Sequence, residues 1–72
     1  MKQFTERDKD IYEYIRSYSA EHGFSPSVRE IGSAVYMSRS AVQRHLYKLQ
    51  ELGYISITPK IPRSIVILLT VD

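Results

Sequence analysis

The segment 27–55, SVREIGSAVYMSRSAVQRHLYKLQELGYI, constrains the fold of this chain more than any other. Ser27 precedes Glu30 by three residues, the spacing of a capping box in which the hydroxyl accepts from a helical amide and the carboxylate accepts from the cap amide. The helix opened in this way runs over 28–35, with Val28, Ile31 and Val35 on its inner side. Gly32 in mid-helix costs roughly 1 kcal/mol relative to alanine. A close approach by the next helix accounts for it. Ser38 is a second N-cap, and a helix over 39–52 follows and stops at Gly53. Val42, Leu46, Leu49 and Leu52 form its apolar seam. Steps of 100° place Ser40, Arg44, Tyr47 and Glu51 on the opposite side. Gln43 and Lys48 fall on the shoulders, and His45 lies beside the seam. Two short capped helices joined by a tight turn, the second turning hydrogen-bonding groups outward, form a pattern that can read base edges in a DNA groove.

The flanks complete a small domain. A first helix over 6–22 has Thr5 as its cap, with Glu6 and Asp8 in the first turn, where the helix dipole favours acids. Ile11, Ile15 and Tyr18 recur at helical spacing as its inner face, flanked by Tyr12 and Tyr14. Phe4 can staple to the Lys9 stem or to later apolar residues, and Gly23 ends the helix behind His22. After Gly53, the β-branched runs 54–58 and 64–68 enclose Pro59-Lys60-Ile61-Pro62-Arg63. They read as a two-stranded wing over about 54–69. Ile55, Ile57, Ile65, Ile67 and Leu69 are expected to face the helices. Val66, Leu68 and Val71 then face outward on an edge that invites pairing with a dimer mate or a following domain. The expected fold is mainly α with a small β-hairpin: one three-helix winged helix-turn-helix over 1–72.

Composition narrows the function. With 72 residues the chain holds one small core. It has no cysteine, so a disulfide framework and thiolate zinc are ruled out. No apolar run is long enough for a bilayer, and the charged start is no signal peptide, which leaves a cytoplasmic location as the expectation. Net charge is only +2, but its distribution is uneven: residues 1–23 carry −1 and residues 24–72 carry +3. The basic half is the half with the two-helix pattern, as a phosphate-facing surface requires, although solvated basic helices would give the same balance. His22 and His45 have no carboxylate at ligand spacing. Glu6, Asp8, Asp10 and Glu13 read as helix-start charges and a solvated face rather than an acid–base pair. No catalytic, metal or cofactor site is expected.

The partner expected from these residues is double-stranded DNA, and the site divides by role. Ser40, Gln43, Arg44 and Tyr47 are the candidate base readers. The Arg44 fork matches guanine O6 and N7, and Gln43 can pair with adenine. Tyr47 fits a thymine methyl or a phosphate, or is simply an exposed packing residue. Ser27, Arg29, Ser38, Arg39, Lys48, Lys60 and Arg63 are the candidate backbone ligands that set register. A winged helix used for protein contact, in a replication or assembly complex, is the alternative. It would not need those cations on one surface.

The sequence resembles the N-terminal DNA-binding domain of LexA-type repressors over roughly residues 4–68. The resemblance is carried by Phe4-Thr5, Ile11 and Ile15, then by the string from Gly23 through Pro26-Ser27-Val28-Arg29-Glu30-Ile31 to Gly32. It continues through His45-Leu46, Leu49, Gly53, Pro59, Pro62-Arg63 and Ile65-Val66-Ile67-Leu68. It implies a repressor that binds its operator as a dimer and controls DNA-damage (SOS) genes. Tyr36 stands where the family usually has glycine, and the segment 36–42 is one residue shorter, which changes the register of the recognition helix. A self-cleaving, dimerising C-terminal domain would lie beyond these 72 residues, or the chain would be a small stand-alone regulator.

Overall fold

A computed structural model describes residues 4–68. Three helices, α1 (Glu6–His22), α2 (Val28–Val35) and α3 (Arg39–Glu51), precede two short strands, β1 (Ile55–Ser56) and β2 (Val66–Ile67). The strands pair antiparallel, Ile55 with Ile67 and Ser56 with Val66. This is the three-helix winged helix-turn-helix the sequence predicts.

The helix starts follow from their caps. Thr5 and Ser27 each close a full capping box, with Asp8 and Glu30 at the third helical position. Ser38 accepts from the Ala41 amide at 3.2 Å. Gly23 and Gly53 take the left-handed conformation that ends α1 and follows α3. Ile11, Tyr12, Ile15, Ile31, Val42, Leu46, Leu49, Ile55 and Ile65 form one buried core. Tyr12 belongs at its centre and not on its flank, because the Tyr12 ring packs edge-on to Tyr54 at 5.9 Å. Phe4 packs on Tyr54, 5.0 Å between ring centroids, and so joins the core through a later apolar residue.

Gly32 is fixed by the turn as well as by α3. A Cβ there would come 2.8 Å from the Met37 carbonyl oxygen and 3.7 Å from Val42 Cγ2. The chain turns through Tyr36, whose φ of 56° and ψ of 49° are left-handed. Met37 then donates back to the Gly32 carbonyl at 3.0 Å.

The wing is shorter in regular pairing than its β-branched runs suggest. Beyond Ser56 the ladder is replaced by side chains. Ile57 donates its amide to Gln50 Oε1 at 2.9 Å, while Thr58 donates to Ser64 Oγ at 3.1 Å. Pro59 and Pro62 supply no amide for a longer ladder. Lys60 and Arg63 have positive φ, so the tip curls instead of extending. Ile55 and Ile65 face the core, and Ile57 and Ile67 pack partly against it. Val66 and Leu68 face out, more than half exposed, whereas Leu69 and Val71 lie outside the described residues.

Gly32→Ala is expected to destabilise the domain by about 1–3 kcal/mol, the range for forcing extra atoms into a close-packed contact. Urea unfolding at neutral pH measures it. An unchanged midpoint would show that the turn backbone yields freely.

Candidate nucleic-acid interface

Two flanks of α3 present side chains to solvent. On one flank Arg39, Gln43 and Tyr47 face the wing across a groove of about 530 Å³, whose opposite wall includes Lys60 and Ile61. On the other flank Arg44 borders a shallow hollow with Ala41, His45 and Lys48. Ser40, Arg44 and Tyr47 are exposed, and Gln43 is half-buried. The four candidate base readers therefore lie on the outward side of α3, although Gln43 and Arg44 serve different walls. Among the described residues no hydrogen bond or ion pair holds the side chains of Arg29, Arg39, Ser40, Gln43, Arg44, Tyr47 or Lys60. Ser27 and Ser38 cap the helix starts with their hydroxyls. Their places at the positive ends of α2 and α3 also suit an anion.

Two of the cations expected at phosphates also make ion pairs within the domain. Lys48 Nζ lies 2.7 Å from Asp8 Oδ2, with its side chain only 21 % exposed. Arg63 lies 2.9 Å from Glu30 Oε1 and donates to the Tyr18 hydroxyl and the Ser25 carbonyl, both at 3.2 Å. Its guanidinium also covers the Phe24 ring at 5.1 Å. Arg63 thus fastens the base of the wing to the ends of α1 and α2.

Asp8 corrects another expectation, because it is not part of a solvated acidic face. Its carboxylate is fully buried. It accepts from the Thr5 amide at 2.8 Å and the Thr5 hydroxyl at 2.9 Å, and it contacts His45 Nδ1 at 2.6 Å. With Lys48, these groups satisfy a charge that would otherwise be costly to bury. Burial pushes the Asp8 carboxyl up, but the hydrogen bonds from His45, Lys48 and Thr5 outweigh it and hold it down at about 2. A signal for this was present in the sequence. Positions 8, 11, 12 and 15 share one helical face, and Asp8 is the polar member of that inward stripe.

Glu30 does comparable work for the wing. The Ser27 amide, then the Arg63 guanidinium and the Tyr18 hydroxyl, lower its carboxyl to about 2 against some opposing desolvation. Tyr18 is therefore a rim residue that donates to Glu30 Oε2 at 3.2 Å, rather than a core face residue. His22 stacks on Tyr18 with ring centroids 4.2 Å apart. Among the described residues no group of three or more His, Asp or Glu side chains could hold a metal ion. No helix of these residues is long and apolar enough to cross a membrane.

A helix-turn-helix with a free polar recognition face and a cationic wing across a groove defines a winged-helix DNA-binding domain. The particular family is also clear: the LexA DNA binding domain model matches residues 1–64, and the chain belongs to that family. The chain is 47 % identical over 66 residues to the LexA repressors of Staphylococcus epidermidis and Staphylococcus haemolyticus. The LexA repressor of Staphylococcus aureus is similar to the same degree. Each match covers 90 % of this chain and 32 % of the relative, so the chain spans about a third of the length of these curated relatives.

Asp8→Asn is expected to lower stability at pH 7 by roughly 2–3 kcal/mol, the worth of a carboxyl held almost two pH units below its free value. That contribution is complete above about pH 4 and disappears as pH falls towards 2, where the folded carboxylate protonates. Urea titrations of both proteins at pH 7 and pH 3 test it. The gap between them should narrow at the lower pH, and a gap independent of pH would contradict the assignment.

Proposed function

We propose that this chain is the operator-binding domain of a transcriptional repressor in the LexA manner, acting on genes of the DNA-damage response or of a mobile element. Its target is double-stranded DNA in the cytoplasm. It works as a homodimer or through a dimerising C-terminal domain in a longer protein, since a two-fold operator is most simply met by two recognition helices. The observation that carries this reading is the set of unengaged side chains on α3, with Lys60 facing Arg39, Gln43 and Tyr47 across the groove. Lys48 and Arg63, by contrast, each make an ion pair within the domain.

In this arrangement α3 enters the major groove by its N-terminal half. Ser40, Gln43, Arg44 and Tyr47 meet base edges, with Arg44 as the guanine reader and Gln43 suited to adenine. Arg29 and Arg39, helped by the capped starts at Ser27 and Ser38, hold phosphates on one side. Lys60 holds the flanking backbone or minor groove on the other. Lys48 and Arg63 keep α3 and the wing in place for those contacts. The chemistry is recognition, with no bond made or broken.

Selection of bound sites from random duplex DNA, followed by anisotropy titrations over a range of salt, tests the proposal. Affinity should fall linearly with log salt. Arg44→Ala should lose about 1–3 kcal/mol on the selected site and relax the preference at one base position. Lys60→Ala should weaken all duplexes alike and reduce the salt slope by about 1. Recovery of no motif, together with salt-insensitive association, would instead favour a protein-binding winged helix.

A further inference from the structure

Tyr36 is hard to explain by the stability of the isolated domain. Its side chain is 91 % exposed, the most of any large hydrophobic residue described. Its backbone is left-handed, at φ 56°, a conformation that disfavours any residue with a Cβ and a bulky aromatic in particular. Glycine would end α2 there without strain and without an exposed ring. The left-handed backbone lets the Tyr36 amide cap α2 at the Gly32 carbonyl, as glycine would, but among the described residues no hydrogen bond, ion pair or ring contact holds the Tyr36 side chain. An outlier of this kind points to a role in binding.

Its surroundings specify the ligand. Arg29, Ser33 and Tyr36 succeed one another along the outer side of α2 and the turn, and Arg39 opens α3 just beyond. These residues border one shallow open hollow, and Arg29 and Arg39 have unengaged guanidinium groups. Two free cations flanking an exposed phenol suit a run of phosphates, with the neutral hydroxyl as an extra donor between the charges. The geometry points to Tyr36 as a DNA-backbone ligand, its hydroxyl donating to a phosphate oxygen between the phosphates held by Arg29 and Arg39. This inference rests on the DNA-binding reading and extends it to the helix-turn-helix turn.

The test is a comparison of the whole chain with Tyr36→Phe, Tyr36→Gly and Arg39→Ala on a short labelled duplex of mixed sequence at several salt concentrations. Tyr36→Phe should raise Kd about three- to tenfold, the range of one net hydrogen bond, with Tm unchanged. Tyr36→Gly should weaken binding at least as much while raising Tm by about 4 °C or more, because the left-handed position is relaxed. The salt slope should stay at the wild-type value in both, since a hydroxyl displaces no counterion, and should shrink by about 1 in Arg39→Ala. Opposite changes in stability and affinity for Tyr36→Gly are something a purely structural residue would not produce. Wild-type affinity in Tyr36→Phe overturns this assignment while leaving DNA binding intact. Failure of the wild-type chain to bind the duplex overturns both readings.

Discussion

A carboxylate cut off from water must be matched by donors, and in this domain Asp8 is matched from two elements that are distant in sequence. Thr5 belongs to the start of α1, whereas His45 and Lys48 belong to the middle of α3. The recognition helix is thus held from behind by a charged anchor as well as by Val42, Leu46 and Leu49. Dispersion contacts tolerate some sliding of one helix along another, but a short multi-donor bond to a single carboxylate does not. The rotation of α3 that sends Ser40 and Arg44 outward is set by what holds His45 and Lys48 inward.

The wing is held by the same kind of contact. Its two-residue strands are too short to fix a hairpin on their own. Glu30, already occupied as the capping-box acid of α2, binds Arg63, and Arg63 reaches Tyr18, Ser25 and Phe24. Ser25 is buried, and its hydroxyl accepts from the Ile65 amide. The start of α2 and the base of the wing are therefore tied together, with Lys60 across the groove from Gln43 and Tyr47. Lys48 and Arg63 are thus engaged within the domain, whereas the side chains of Arg29, Arg39, Arg44 and Lys60 have no partner among the described residues.

Among the described residues, left-handed backbone at non-glycine positions is confined to the turn before α3 and the wing, at Tyr36, Lys60 and Arg63. At Arg63 the left-handed backbone accompanies a clamp to Glu30. At Tyr36 and Lys60 the side chains have no partner among the described residues. A scaffold with a core of nine buried apolar side chains among the described residues supports these departures.

Much of this was legible in the sequence because it depends on local rules. Caps at Thr5, Ser27 and Ser38 and the stops at Gly23 and Gly53 are one-turn interactions, and they bound the helices to within a residue. The period of Val42, Leu46 and Leu49 defines the outward side of α3 by simple rotation. What the sequence could not supply is the pairing of charges across elements. Lys48 and Arg63 look like Arg39 and Lys60 when read along the chain, since each is a cation on a polar shoulder or tip. Only the fold brings Asp8 under Lys48 and Glu30 under Arg63, because a long-range ion pair depends on the packing of helices and has no fixed spacing. The tertiary structure decided which cations stay free, and the Coulomb energy of those two contacts is the reason.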